Sequence, residues 1–322
     1  MNNFWEKLEK PFFVLAPMAN VTDAAFRQII AKYGKPDVMW TEFVSCDGLC
    51  HPDGREAIKI DLNYTEGERP IVAQVFTAHP EKMREAAKYI LELGFDGIDI
   101  NMGCPDKNVM KQGAGASLMK NPELAKELIL AAKEGVENKI PVSVKTRIGF
   151  NSDELEEWLL KLLEAKPSAI TVHARTKKEL SLVPANWDRV KRAVEIARGS
   201  GVLILGNGDV KNMEEARMRV AETGCDGVMI GRGIFGNPWL FDETKKEISV
   251  EEKLRVMVEH TQLYEEIFRD VKSFELMKKH YKAYVHGFPE AKELRVKLMD
   301  CHTAKEVENV MEEFLKQYVR LQ

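Results

Sequence analysis

The chain has 322 residues, of which 44% are hydrophobic and 30% charged, and its formal net charge is −4 at pH 7. This composition is ordinary for a folded protein, and the charge gives no global indication of nucleic-acid binding. No apolar run approaches the roughly 20 residues that span a membrane, and the N-terminus lacks a signal-peptide pattern. Five irregularly spaced cysteines predict neither a disulfide framework nor a zinc site, so we expect a cytoplasmic protein.

Eight short apolar runs recur along the chain, and helical patterns lie between them. The runs are Phe12–Ala16, Val38–Phe43, Ile71–Phe76, Gly97–Asn101, Val142–Thr146, Ala169–His173, Val202–Leu205 and Gly227–Ile230. The helical stretches are Thr22–Ile30, with Thr22 or Asp23 as N-cap, Pro80–Leu93, 121–135, 152–165, 187–198 and 212–223. Near-continuous apolar strands indicate a parallel sheet covered on both faces, and eight such units predict an α/β fold, the (β/α)8 TIM barrel. A doubly wound sheet is the alternative, but the first turn lacks its glycine fingerprint.

The strand pattern stops near residue 240, and the remainder is helical. The predicted helices are Val250–Arg269, 273–286, 289–299 and Thr303–Leu321. We therefore predict a barrel domain over residues 1–240 and a small helical domain over residues 241–322. Residues 272–297 carry seven Lys or Arg against three Glu, interleaved with Tyr281, Tyr284 and two histidines. Such a patch can follow RNA phosphates, although a solvated helix face is the alternative.

The C-terminal ends of barrel strands converge on one mouth, where catalytic residues are placed. In this chain nearly every predicted strand ends in a polar or charged side chain, which a core packed only for stability would not need. These residues, with those of the first turn, are Pro17, Met18, Glu42, Gln74, Asn101, Cys104, Lys145, Arg147, His173, Arg175, Asn207, Asp209, Gly231 and Arg232.

The last two strand ends are rich in glycine. They read Leu205–Asp209, LGNGD, and Ile230–Gly233, IGRG. Many barrels bind phosphate at this place with backbone N–H groups, and Arg232 would add a bidentate contact. Glycines that only make tight turns are the alternative. The pattern in both loops favours a phosphate site.

Three further residues have more than one reading. Lys145 ends a buried strand, where an ammonium group needs an anionic or carbonyl partner, so it either forms a structural salt bridge or stabilises charge on a ligand. His173 is either a satisfied core residue or a site residue, and the nearby Arg175 favours the second reading. For Cys104 the sequence leaves three alternatives: a small buried residue of the core, a nucleophile or a general acid. We favour the acid, because a thiol with a pKa of about 8.5 holds its proton at neutral pH.

Taken together, these segments resemble the dihydrouridine synthase family. The strings that carry the resemblance are LAPMANVTDAAFR (15–27), INMGCPDKNVMKQGAGASLMKNPEL (100–124), VSVKTRIGF (142–150), ITVHARTKKE (170–179), LGNGDV (205–210), DGVMIGRGIFGNPWLF (226–241) and KKHYKAYVHGFPEAKELRVKLM (278–299). They follow the family order over almost the whole chain.

The resemblance implies a TIM barrel that holds FMN, takes electrons from NADPH and reduces uridine to 5,6-dihydrouridine in tRNA. By this pattern FMN would contact Pro17, Met18, Gln74, Lys145, His173, Asn207, Asp209, Gly231 and Arg232. Hydride would pass to C6 of the uracil, and Cys104 would protonate C5. Asn101, Lys145 and Arg175 would hold the base, which must leave its stack to reach the flavin. A metal-free monomer is expected, and its helical domain would help to bind RNA.

The chain departs from the family pattern at Asn20, at Ile148–Phe150 and at Leu180–Pro184. These positions belong to the mouth where substrate enters, so they leave open which uridine or which RNA is the substrate. One alternative is a divergent flavoenzyme that oxidises NADPH with another RNA or with a small-molecule substrate, similar to a dihydroorotate or dihydropyrimidine dehydrogenase. A second alternative, a non-catalytic RNA-binding protein, is disfavoured by the intact residues at the strand ends.

Overall fold

The structure is a computed structural model, and it describes residues 3–318. Within them the strands are β1 Phe12–Leu15, β2 Met39–Trp40, β3 Val44–Ser45, β4 Ile71–Phe76, β5 Gly97–Met102, β6 Val142–Arg147, β7 Ala169–His173, β8 Leu203–Asn207 and β9 Gly227–Ile230. The α-helices are α1 Ala24–Tyr33, α2 Cys46–Leu49, α3 Pro52–Ile58, α4 Pro80–Glu92, α5 Lys107–Lys111, α6 Pro122–Gly135, α7 Leu155–Glu164, α8 Trp187–Ala197, α9 Met213–Thr223, α10 Val250–Phe268, α11 Lys278–Tyr284, α12 Ala291–Met299 and α13 Ala304–Tyr318. No helix in this range is long and apolar enough to cross a membrane.

The strands form a parallel barrel. Neighbouring strands follow the order β1, β9, β8, β7, β6, β5, β4 and β2, and β3 pairs with β4 beside β2. A parallel bridge between Val14 and Val38 brings the two ends of this order together. Helices follow most strands in sequence and provide the crossover connections that parallel strands require. The predicted (β/α)8 TIM barrel is confirmed.

Two predicted strands differ from the observed ones. The second run is interrupted, because residues 41–43 separate β2 from β3. The Thr41 hydroxyl accepts a hydrogen bond from the Gln74 N–H at 3.2 Å and donates to the Glu42 carbonyl at 2.8 Å. A side-chain oxygen therefore replaces one ladder acceptor and lets the backbone leave the strand. The seventh run is shifted, since β8 extends to Asn207 and carries that side chain on the strand itself.

Aromatic rings pack at the N-terminal end of the barrel. A short 3-10 helix, Phe4–Lys7, precedes β1 and buries Trp5. The Trp5 ring centroid lies 5.3 Å from Phe12 and 6.2 Å from Trp40, and all three rings belong to one buried cluster. The pattern of strands did not predict this element. Apolar rings thus fill this end of the barrel. The polar side chains lie at the opposite ends of the strands, which is where a TIM barrel places its ligands.

The described residues divide into two compact units. One comprises the residues up to Thr22 with Pro36–Arg232, and the other comprises Asp23–Lys35 with the residues from Gly233 onward. Helix α1, which Asp23 caps by accepting from the Phe26 N–H at 2.9 Å, thus belongs to the helical unit. The boundary predicted at residue 240 rests on where the strands stop, and that pattern cannot reveal that α1 packs with the last helices. Phe26 illustrates this packing, because its ring lies 5.2 Å from that of His280.

The helical unit buries aromatic residues that the sequence suggested for an RNA-binding surface. Tyr281, Tyr284 and His280 are each at most 1% exposed, so the expectation that aromatic rings interleave with lysines on this surface is wrong for them. Their spacing on α11 explains why, because residues three and four apart share the face that turns to the core. Lys282, Lys292 and Lys297 remain exposed.

Candidate active site

A cavity of about 400 Å³ lies among the loops that follow the barrel strands. The pairing register brings its inner ring together, because Arg147 of β6 is paired with His173, His173 with Asn207, and Asn207 with Met229. The cavity contains most of the residues predicted for the site, namely Pro17, Met18, Lys145, His173, Arg175, Asn207, Asp209, Gly231 and Arg232. Gln74, Asn101 and Cys104 are not among its described lining residues, although Pro105 next to the cysteine is.

The cavity has a positive lining. Among the lining residues that the structure describes, Lys145, Arg147, Arg175 and Arg232 are cationic and Asp209 is the one carboxylate. The Lys145 ammonium donates to the Asn207 Oδ1 at 3.2 Å, a neutral acceptor. Burial, and then the neighbouring Arg147 charge, lowers the pKa of Lys145 to about 8. A cation held in such surroundings is stabilised by an anionic ligand, so the charge of the lining fits a phosphate or an anionic ring.

Asp209 organises one wall of the cavity. Its carboxylate accepts from Arg175, from Arg232 at 3.0 Å and from the Ala185 N–H at 2.9 Å. Burial opposes ionisation, but the Ala185 N–H and the two guanidinium groups more than offset it and lower the pKa of Asp209. The carboxylate therefore stays charged and joins the loop after β8 to the loop after β7.

Arg175 is only 3% exposed and is held by protein groups on three sides. Besides its ion pair with Asp209, its Nε donates to the Val183 carbonyl at 2.6 Å, and its Nη1 lies 3.2 Å from the His173 Nε2. Since arginine only donates, the His173 Nε2 must accept, which places the imidazole proton on Nδ1. Burial and the surrounding cations lower the pKa of His173 well below its ordinary value, so the ring is neutral.

Gly208 allows close packing in the loop after β8. Its φ is +132°, and a Cβ at this position would lie 2.7 Å from the Ala185 Cβ and 3.3 Å from the His173 Cδ2. A side chain would thus meet both the neighbouring loop and the imidazole. The glycine therefore permits close contact of this loop with Ala185 and His173, and Gly208 itself lines the cavity.

The Cys104 loop is shaped by Asn101. The Asn101 Oδ1 accepts from the N–H groups of Gly103 at 3.2 Å and Cys104 at 2.9 Å. Cys104 is partly exposed and packs against a small apolar cluster that includes Phe76 and Val109. Burial, and then the nearby Asp106 charge, raises the pKa of the Cys104 thiol. The thiol is therefore protonated at neutral pH, as a general acid requires.

A buried polar network of hydrogen-bonded side chains holds Asn101 and thereby this loop. The Gln74 Nε2 donates to the Asp99 Oδ2 at 2.7 Å, and its Oε1 accepts from the Asn101 Nδ2 at 3.1 Å. Ser143 donates to the other Asp99 oxygen at 2.6 Å. The Asp99 carboxylate accepts only, so it fixes the orientation of the Gln74 amide and, through it, that of Asn101. Gln74 and Asn101, predicted as ligand contacts, thus form internal hydrogen bonds next to Cys104.

Arg147 joins the Cys104 loop to the loop after β7, a role that the sequence did not suggest. Its Nε donates to the Gly103 carbonyl at 2.8 Å, and its Nη1 donates to the carbonyls of Thr176 at 3.1 Å and Leu180 at 3.2 Å. The available signal was its position two residues after Lys145, on the same inward face of β6. Only the fold reveals which carbonyls it meets.

Asp99 supports a prediction about pH. Burial raises the pKa of this fully buried carboxyl from 3.8 to about 6. The fold thus favours the protonated form, and ionisation between pH 4 and 7 lowers the free energy of unfolding by up to about 3 kcal/mol. We expect Asp99→Asn to lack this loss in urea unfolding of the flavin-free protein across that range. The exposed Asp188→Asn should follow wild type, and a wild-type response of Asp99→Asn would contradict the assignment.

Comparison with solved structures shows the same fold in proteins of distant sequence. A histamine dehydrogenase from Rhizobium sp. 4-9 matches with a TM-score of 0.55 and 13% identity, over 78% of this chain and 48% of that one. A morphinone reductase mutant in complex with tetrahydroNAD matches with a TM-score of 0.51 and 13% identity, over 75% and 88%. At this identity the likeness concerns the barrel alone.

Sequence comparison identifies the family. The model for dihydrouridine synthase (Dus) matches residues 14–319. A probable tRNA-dihydrouridine synthase 2 of Bacillus subtilis is 40% identical over 323 residues, which is 98% of each chain. A probable tRNA-dihydrouridine synthase of Staphylococcus aureus is 38% identical over 317 residues, 97% of this chain and 95% of that one. The chain belongs to the dihydrouridine synthase family, which confirms the resemblance read from its motifs.

Proposed function

We propose that this protein is a flavin-dependent oxidoreductase that reduces uridine to 5,6-dihydrouridine in tRNA. The observation that carries the proposal is the position of Cys104, whose pKa burial raises, on a loop beside a cation-lined cavity at the mouth of the barrel. This arrangement suits a reaction in which hydride arrives from one side and a proton from a neighbouring acid. The relatives at about 40% identity, named as probable tRNA-dihydrouridine synthases, support this substrate.

The residues of the cavity fit FMN. The cluster of Arg232, Gly231 and the Gly208 loop suits an anionic phosphate, and Lys145 suits a ring that carries negative charge when reduced. Pro17, Met18, His173, Asn207 and Asp209 complete the proposed cofactor contacts, while Gln74 would act through its hydrogen bonds to neighbouring residues. When bound, FMN would supply the hydride for C6 of uracil after reduction by NADPH.

The protein groups carry the other half of the reaction. The Cys104 thiol would donate its proton to C5 as C6 receives hydride, so that the C5–C6 double bond becomes a single bond. Asn101 would hold the cysteine loop in place through its two backbone contacts, and Lys145 would stabilise charge next to the base. Arg175 would act through Asp209 and the loop after β7. The target base must leave its stack to enter the cavity.

The RNA would also contact exposed lysines of the helical unit, such as Lys282, Lys292 and Lys297. Contacts of this kind follow phosphates and do not read sequence, so they would anchor the tRNA and leave the choice of uridine to the loops of the mouth. Replacing the three lysines by glutamine should reduce the salt dependence of tRNA binding, measured as the slope of log Kd against log salt concentration. We expect a decrease of about one unit for each phosphate that the variant no longer neutralises.

The decisive experiment compares modified nucleosides by mass spectrometry in cells with and without the gene. We expect dihydrouridine at one or more tRNA positions to disappear on deletion and to return with the wild-type gene. Purified protein should be yellow, or become so with added FMN. Colourless protein after addition of FMN would overturn the flavin assignment. Unchanged tRNA dihydrouridine, together with turnover of a free pyrimidine, would favour the small-molecule alternative.

A further inference from the structure

The loop after β7 exposes apolar side chains at the edge of the cavity. We call residues 180–184 the apolar loop. Leu180 is 42% exposed, Leu182 is 82% exposed and Val183 is 40% exposed, although leucine and valine are usually buried. Leu180 and Ser181 line the cavity itself. A cluster of exposed apolar side chains that adjoins a ligand cavity is typical of an interaction surface.

Buried charged groups of the active site hold this loop in place. The Arg147 Nη1 donates to the Leu180 carbonyl at 3.2 Å, and the Arg175 Nε donates to the Val183 carbonyl at 2.6 Å. The N–H of Ala185, just beyond the loop, donates to Asp209 at 2.9 Å. The backbone is thus fixed on the cavity side, and the apolar side chains are left to face solvent.

The backbone of the loop is also unusual. Leu180 has a φ of +52°, in the left-handed region that leucine seldom adopts. Such a conformation persists only where the surrounding contacts determine it, and it is found most often at functional positions. Here the contacts are the hydrogen bonds from the two arginines. The backbone that carries the exposed side chains is therefore held by these hydrogen bonds.

A basic surface adjoins the apolar loop. Lys177 and Lys178 precede it, with Glu179 between them and the loop, and their N–H groups donate to the carbonyls of Gly149 at 2.8 Å and Phe150 at 2.9 Å. The Phe150 ring lies 3.9 Å from the Lys120 Nζ and 4.9 Å from the Lys177 Nζ. The segment that leads into the apolar loop is therefore linked to residues 148–150 through hydrogen-bonded backbone. Cationic and apolar groups side by side fit a polyanion with flat apolar faces, which is the chemistry of RNA.

We propose that the apolar loop is a wedge that contacts the RNA bases left behind when the target uridine enters the cavity. Leu182, at the most exposed position, would pack against the base next to the vacated place, and Lys178 would meet the phosphate backbone. Extruding a base costs a few kcal/mol of stacking, and an apolar side chain that fills the gap offsets part of that cost. The inference rests on the proposed function, because it takes RNA as the substrate.

The test compares Leu182→Ser with Leu160→Ser. Leu160 on α7 is also exposed, at 55%, but it lies outside the apolar loop, so it controls for loss of an exposed leucine. We expect Leu182→Ser to lower kcat/KM for unmodified tRNA by about 10- to 100-fold, since a few kcal/mol of stacking is at stake. Leu160→Ser should match wild type, and Leu182→Met should restore most of the activity. The rate at which NADPH reduces the flavin without RNA should be equal in all four proteins.

Salt dependence separates the wedge from a general loss of RNA binding. Leu182→Ser should leave the slope of log Kd against log salt unchanged, whereas Lys178→Gln should reduce it by about one unit. Wild-type activity of Leu182→Ser on tRNA, or an equal loss in Leu160→Ser, would overturn the wedge. A changed salt slope in Leu182→Ser would also overturn it, because the slope reports phosphates and not bases. Wild-type protein that fails to reduce tRNA at all would instead refute the proposed function.

Discussion

Cys104→Ala should lower the rate of dihydrouridine formation by about 10²- to 10⁴-fold, the usual contribution of a general acid. The flavin should still be reduced by NADPH at the wild-type rate, because the variant lacks only the proposed proton donor for C5. Cys50→Ala offers a matched control, since Cys50 is the other partly exposed cysteine and lies at the end of α2, in a different segment. The measurement is dihydrouridine by mass spectrometry after single turnover of the reduced enzyme with unmodified tRNA.

The pH profile gives an independent check on the role of Cys104. Burial raises the pKa of this thiol above its ordinary value, so the thiol should stay protonated and the single-turnover rate should change little around neutral pH. At higher pH the rate should fall as the thiol ionises. A rate that instead increased with pH would indicate that the thiolate is the active form and that Cys104 is a nucleophile. Unchanged single-turnover rates in Cys104→Ala would remove the cysteine from the mechanism.

Lys145→Met should stabilise the flavin-free protein and abolish its function. The ordinary pKa of lysine is 10.5, and burial lowers that of Lys145 to about 8, so the fold disfavours the charged form. The cost is fully present below pH 8 and is lost as the pH rises from 8 towards 10.5. Replacing the charge by an apolar side chain of similar length should therefore raise the free energy of unfolding by about 1–3 kcal/mol at pH 7. The gain should shrink above pH 8.

The same substitution removes the cation that we assign to the reduced flavin. We expect Lys145→Met to bind FMN at least 10-fold more weakly and to lose NADPH-dependent reduction, measured by flavin fluorescence and absorbance. Lys139→Met, at a lysine whose side chain is 63% exposed, should change neither stability nor flavin binding appreciably. If Lys145→Met instead lowered the free energy of unfolding of the flavin-free protein, it would contradict the idea that the Lys145 charge destabilises the fold and is kept for function.

Several features of the site could be predicted because they depend on local order in the sequence. Residues that follow successive parallel strands meet at one end of a barrel, so His173, Asn207 and Asp209 are brought together by strand order alone. The register then adds Arg147 to the same ring. The N-cap at Asp23 and the starts of α4 and α6 at prolines follow from side-chain chemistry within a single turn.

Other features depend on contacts between distant segments. Nothing near Arg175 in the sequence shows that its guanidinium bonds to Asp209, 34 residues away, and to the backbone of the apolar loop. Gln74 and Asn101, which the resemblance assigns as ligand contacts, also take part in the buried Asp99 network, and nothing near them in the sequence shows this. Tyr281 and Tyr284 looked available for RNA, yet they pack in the helical core. The type of a polar or aromatic residue does not reveal which other residues of the protein it already contacts.

The sequence by itself determined the TIM barrel, the helical C-terminal part and the dihydrouridine synthase family, because these depend on periodicity and on motifs that are continuous in the chain. Only the tertiary structure decided the charge of the cavity, the direction in which burial shifts the pKa values of Cys104 and Lys145, and the outward direction of Leu182. Each of these depends on burial and on the distance between groups that are far apart along the chain. A pKa or an exposed side chain is a property of the surroundings, and the surroundings exist only once the strands have assembled.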